Sequence, residues 1–207
     1  MRIRSLTSLV LLPAAALAVV AGCGDRDAEA GAGEPTPAPA PAPNAQAAPA
    51  PAPPAPGGFQ TAPDFTLEKL GGGTVKLSSL RGKVVLIDFW ATWCRPCIAS
   101  IPHLNSLYAT HHKDGLEILG VSLDRGQGAQ TGREVVEAFS RTTRMDYPVL
   151  MGSQATAASF GGIQAIPTAF LIDREGRIRN RYVGMQAPAV MEAAVAALLA
   201  EIPSGDV

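Results

Sequence analysis

Apolar residues fall along this chain in three successive regimes. From Ser5 to Gly22 they form an uncharged, mostly apolar run behind the basic start Met1-Arg-Ile-Arg4. From residue 24 to 58 large apolar side chains are absent, and alanine alternates with proline. From Phe59 onward, short apolar runs alternate with stretches spaced by threes and fours, as strands alternating with helices would. Phe65–Leu70 and Thr74–Leu77 flank Gly71-Gly72-Gly73 and predict a hairpin. Val84–Trp90 is almost continuously apolar, which predicts a strand covered on both faces. From Pro96 to about His112, Ile98, Ile101, Leu104, Leu107 and Tyr108 mark an amphipathic helix. Further strands are expected at Leu116–Leu123, Tyr147–Met151, Thr168–Ile172 and Arg177–Val183, the last two joined by a turn at Asp173–Gly176. Helices are expected at Arg133–Arg141, Gln154–Phe160 and Pro188–Glu201, the last with a proline well suited to its first turn. The pattern predicts an α/β sandwich around a mixed central sheet, with an N-terminal β-hairpin.

Composition fixes where that domain starts. Ten of the 18 prolines lie between Pro35 and Pro56. A segment without large apolar residues cannot bury enough surface to offset its ordering entropy. What remains, residues 59–207, is one ordinary domain. Residues 1–58 hold three arginines and four acidic residues, which leaves 14 charges of each sign for the domain. A neutral domain without a basic cluster has no field for gathering phosphates, so no nucleic-acid partner is expected. A monomer without a cofactor is expected.

The N-terminus reads as an address. A basic start, an apolar run and small residues at Val20-Ala21-Gly22-Cys23 have the anatomy of a signal peptide. The end of that run resembles the lipobox of bacterial lipoproteins, in which cleavage leaves the cysteine lipidated. The resemblance implies a signal peptide at 1–22, lipid on Cys23 and a disordered Ala/Pro-rich linker at 23–58. An uncleaved membrane anchor is the alternative. Either way the domain is expected in the cell envelope, on the extracytoplasmic (periplasmic) side of a membrane. Ala-Pro repeats favour polyproline II at roughly 3.1 Å per residue, so Pro35–Pro56 could hold the domain up to ~70 Å from its anchor.

The other two cysteines carry the chemistry. Trp93-Cys94-Arg95-Pro96-Cys97 stands where the apolar strand ends and the long helix begins. A cysteine at a helix N-terminus meets unpaired N–H groups and the positive end of the dipole, which stabilise a thiolate, and Arg95 adds a cation. Two intervening residues let the sulfurs close a small disulfide. Cys94, at the expected exposed end, is the candidate nucleophile, and Cys97 the resolving thiol. A zinc site would need two more ligands. The only histidines, His103, His111 and His112, lie on the same helix, and His111 is roughly 21 Å along it from Cys97. No metal site is expected. Asp88 interrupts the apolar strand, where burial should raise its pKa. It is a candidate proton acceptor for Cys97, unless a backbone group or Lys83 satisfies it.

Asp88-Phe-Trp-Ala-Thr-Trp-Cys-Arg-Pro-Cys97 resembles the thioredoxin active-site segment. Ala62-Pro-Asp-Phe-Thr-Leu67, Gly82-Lys-Val-Val-Leu-Ile87 and Ile166-Pro-Thr-Ala-Phe-Leu-Ile-Asp173 resemble the TlpA/ResA branch of membrane-anchored thiol–disulfide oxidoreductases, over about residues 60 to 201. The resemblance implies a thioredoxin-like fold. It implies Cys94–Cys97 as a redox disulfide, Asp88 as the acid serving the resolving thiol, and a cis peptide at Pro167. It further implies that Ile166 offers backbone groups to a substrate beside Trp93, and that Pro102 is structural. Implied partners are exported protein thiols and disulfides, apocytochrome c among them, and a membrane electron donor of the thiol-reductase type. That branch carries a glutamate three residues after the second cysteine, where this chain has Ser100. Arg95 points to a less reducing protein, whereas the resemblance points to reduction of exported substrates.

Two rivals share the fold. A thiol peroxidase of the peroxiredoxin class needs Pro-x-x-x-Thr-x-x-Cys, but aligned on Cys94 those positions hold Ile87 and Ala91. A Sco-like copper chaperone needs two cysteines with three residues between them and a histidine far downstream, but here two residues separate the cysteines and no histidine follows His112.

Overall fold

A computed structural model describes residues 60–126 and 128–201. The expectations for residues 1–22, Cys23 and the 23–58 linker lie outside the described residues. A short antiparallel hairpin, β1 (Thr66–Glu68) and β2 (Thr74–Lys76), opens the described part. Three consecutive glycines, 71 to 73, take positive φ between the two strands, a conformation that side chains resist. Where the sequence extends the second strand through Leu77, the chain instead turns into a 3₁₀ segment, Leu77–Leu80. Leu77 is thereby buried, and the Ser79 hydroxyl donates to the Lys76 carbonyl at 2.7 Å.

The main sheet has five strands in the order β5 (Val149–Met151), β4 (Leu116–Ser122), β3 (Val84–Trp90), β6 (Thr168–Ile172) and β7 (Ile178–Val183). β3, β4 and β5 run parallel, whereas β6 and β7 are antiparallel additions. This is the expected mixed sheet. Among the described residues four α-helices, α1 (Arg95–His111), α2 (Gly132–Ser140), α3 (Gln154–Ser159) and α4 (Pro188–Ala200), accompany the sheet. Thr131 and Glu134 cap α2 reciprocally, side chain to backbone in both directions, which fixes its start.

Strand alternation sends the side chains of β3 into packing on both faces of the sheet. Val84 and Leu86 pack with Leu104 and Leu107 of α1 and with Val195 and Leu198 of α4. Val85, Ile87 and Phe89 point the other way, onto Leu67, Leu150, Phe160 and Phe170. Fully burying a side chain of this size contributes about 1.5–3 kcal/mol, so the central strand is held from both faces. Asp88 continues the Val84–Leu86 series and belongs to the α1/α4 face.

Candidate active site

β3 ends at Trp90, and the chain reaches α1 within four residues. That loop is fastened by a carboxylate the sequence reading overlooked. Asp124, buried just beyond β4, accepts from the Thr92 N–H at 2.9 Å, the Thr92 hydroxyl at 2.6 Å and the Ser122 hydroxyl at 2.9 Å. Asp124 and Thr92 meet because β3 and β4 are adjacent parallel strands whose C-terminal ends open at the same edge. The available signal was one acid directly after an apolar strand, at the sheet edge where α/β folds place their sites.

Cys94 is the N-cap of α1, and its sulfur accepts from the Cys97 N–H at 3.3 Å. The two cysteines form a disulfide, with Cα atoms 5.3 Å apart. The expectation that Cys94 is exposed is corrected. The residue is 4% accessible against 1% for Cys97, because the segment before β6 lies over it. Cys94 Sγ is 3.7 Å from the Ile166 carbonyl oxygen, and the Ile166–Pro167 peptide is cis. Trp93 by contrast is 63% exposed and lines an open groove of about 370 Å³ with Leu123, Arg125, Ile163, Ala165 and Ile166. Arg95 and Pro96 are exposed on the first turn of α1.

Asp88 sits below this surface, buried in the middle of β3 opposite Gly120 of β4 and Ala169 of β6. Burial pushes its carboxyl up to about 7. Its charge in turn helps raise the ionisation of Tyr147, for which burial is the larger cause. Lys83 does not neutralise Asp88. It pairs with Glu117 at 2.9 Å, and Glu117 also accepts from the Tyr108 hydroxyl at 3.1 Å. Asp88 shares a small cavity with Ser100 and Pro167, so three of the singled-out positions converge there. The Ser100 hydroxyl is committed to the Cys97 carbonyl at 2.7 Å.

Residues 59–181 match the model of the AhpC/TSA family. The thiol-disulfide oxidoreductase ResA of Geobacillus thermodenitrificans (strain NG80-2) is 36% identical over 124 residues, 60% of this chain and 68% of that protein. The chain belongs to the AhpC/TSA family. Within it, this is a thiol–disulfide oxidoreductase of the ResA type with a Cys94–Cys97 pair. The thioredoxin-like protein YneN of Bacillus subtilis (strain 168) is 32% identical over 133 residues, 64% of this chain and 75% of that protein. Among solved structures, a putative thiol:disulfide interchange protein DsbE from Chlorobium tepidum superposes with a TM-score of 0.60 at 34% identity. It covers 68% of this chain and 96% of that one. The fold is thioredoxin-like, as the resemblance implies.

Proposed function

We propose that this oxidoreductase is anchored to a membrane on the extracytoplasmic side and reduces disulfides of exported proteins. Cys94 is the nucleophile, Cys97 the resolving thiol and Asp88 the proton acceptor. The observation that carries this reading is the Cys94 sulfur: it caps α1 and borders the Ile166 carbonyl, next to a groove floored by exposed Trp93. In the reduced protein the Cys94 thiolate attacks a substrate disulfide, forming a mixed disulfide and expelling one substrate sulfur as a thiolate. Cys97 then passes its proton to the Asp88 carboxylate and attacks the Cys94 sulfur. The second substrate sulfur leaves, and two electrons have moved from the Cys94–Cys97 dithiol to the substrate. With its carboxyl near 7, Asp88 is divided between both protonation states at neutral pH, which suits a group that must accept and return a proton. A membrane dithiol donor would restore the reduced pair.

The address rests on the sequence: a signal peptide at 1–22, lipid on Cys23 and a spacer at 23–58 ahead of the 59–207 domain. Among the described residues no helix is long and apolar enough to cross a membrane. Apocytochrome c thiols are one substrate class the resemblance implies. Peroxide reduction is disfavoured, because Ile87 and Ala91 are fully buried apolar residues where hydroxyl and proline chemistry would be required. The direction of exchange is tested by equilibrating the protein with glutathione redox buffers and trapping thiols with acid. Reduction calls for a potential nearer the ~−270 mV of reducing C-x-x-C proteins than the ~−120 mV of strong oxidants. A value at the oxidising end would overturn the reductive assignment.

A further inference from the structure

Beneath the second and third turns of α1, the cavity that holds Asp88 measures about 30 Å³ and is also lined by Ser100, His103, Pro167, Tyr182 and Gln186. A water molecule needs roughly 10–15 Å³ of such space and two or more polar partners. Asp88 supplies one partner. The second is on His103, whose Nε2 is buried without a hydrogen-bond partner although the residue itself is partly exposed. A buried imidazole nitrogen left unpaired costs about 1–3 kcal/mol, so its placement calls for a reason. Ser100 cannot serve Asp88 in its place, because its hydroxyl donates to the Cys97 carbonyl. His103 follows Ser100 by three positions on α1 and so faces the same side of the helix.

We infer that His103 is a relay residue acting through Asp88, carrying the proton taken from Cys97 across a cavity water to solvent. This rests on the proton-acceptor role proposed for Asp88. The balance is one proton. Cys97 gives it to the Asp88 carboxylate, and the resulting acid gives it to the water. The water passes a proton to His103 Nε2, and the imidazole releases its Nδ1 proton to bulk. Nothing is oxidised or reduced in the relay itself. When the pair is reduced again, the same steps run backwards and reprotonate Cys97. His103 touches neither sulfur in this scheme, so it is a positioning residue and not a catalytic one.

The groups facing His103 across the cavity are few. β3 contributes Asp88, and β7 contributes Tyr182, whose ionisation burial raises. β6 and α4 contribute the uncharged Ala169 and Met191, and the loop after β7 the uncharged Met185 and Gln186. Asp88 is therefore the one group on those neighbouring elements that titrates near neutrality.

The test is stopped-flow decay of the mixed disulfide between pH 5 and 9 in wild type, His103→Gln, Asp88→Asn and the double variant. His103→Gln should leave capture by Cys94 unchanged and slow release about five- to tenfold near pH 7, a fraction of the ~10²–10⁴ that general-base assistance supplies. The double variant should be no slower than Asp88→Asn alone, since both act on one proton path. Adding imidazole to His103→Ala should restore part of the lost rate. If Asp88→Asn slows release but His103→Gln does not, the relay is refuted while the role of Asp88 stands. Additive losses in the double variant would also refute it, by making His103 a separate structural contribution. Normal release in Asp88→Asn would overturn the acceptor role and the relay together.

Discussion

Replacing Asp88 by asparagine should make the oxidised protein more stable, and by an amount that grows with pH. The ordinary value for this carboxyl is 3.8, and in the fold burial raises it to about 7. Between those values the unfolded chain has already lost its proton while the folded chain keeps it, so stability falls as pH rises. The Asp88 contribution is fully favourable below about pH 3.8, declines across the window up to 7, and is level above it. A shift of roughly three units at 1.36 kcal/mol each gives a total penalty of about 4 kcal/mol. Of this, more than half accrues between pH 5 and pH 8, on the order of 2–3 kcal/mol. That is a large share of the ~5–15 kcal/mol that holds an ordinary domain together. Asparagine keeps the shape and polarity of the site but does not titrate. Whatever the buried amide itself costs is the same at both pH values and cancels in the comparison. Urea unfolding of both proteins at pH 5 and pH 8 measures the effect. The stability gap between variant and wild type should widen by about 2–3 kcal/mol from the lower to the higher pH. Parallel curves, with a gap that does not change, would mean that Asp88 ionises freely in the fold and that its burial has been misjudged.

Gly120, beside Asp88 in the sheet, has room for no side chain. A Cβ there would lie 2.9 Å from Tyr147 Cε2 and 3.2 Å from Trp90 Nε1, both on buried rings. Gly120→Ala should therefore cost about 1–3 kcal/mol, read as a lower urea midpoint, and an unchanged midpoint would show that the aromatic pair yields freely. For the proposed anchor, mass spectrometry of the membrane fraction should find an acylated N-terminal Cys23. An intact Met1 N-terminus would count against lipidation.

Much of this site was legible in the sequence, for physical reasons that differ from residue to residue. Asp88 could be read because a single acid within seven otherwise apolar strand residues has few places to go but inside. Cys94 and Cys97 could be read because strand-to-helix junctions present their first residues to unpaired N–H groups, whatever the rest of the fold does. The burial of Cys94 could not be read, since its cover comes from Ile166, 72 positions later. Asp124 was missed for the same reason: its bonds to Thr92 span 32 positions and depend on β3 and β4 lying side by side. In the sequence His103 is weighed only as a metal ligand, on the same helix as the cysteines. Only the packing of α1 across β3 places it over Asp88's cavity. Local patterning also overran the second strand of the hairpin by one residue, because an apolar leucine fits a strand and a buried 3₁₀ turn equally well.

The central claim is that Cys94 attacks and Cys97 resolves, and it is tested most directly by following disulfide exchange with insulin in the two single-cysteine variants. Cys94→Ser should lose turnover entirely, because the other cysteine of the pair, Cys97, is only 1% accessible. Cys97→Ser should capture substrate and stop there, leaving a covalent adduct on Cys94 that mass spectrometry detects and added dithiol releases. Undiminished turnover in Cys94→Ser, or an adduct that forms on Cys97 when Cys94 is present, would contradict the mechanism.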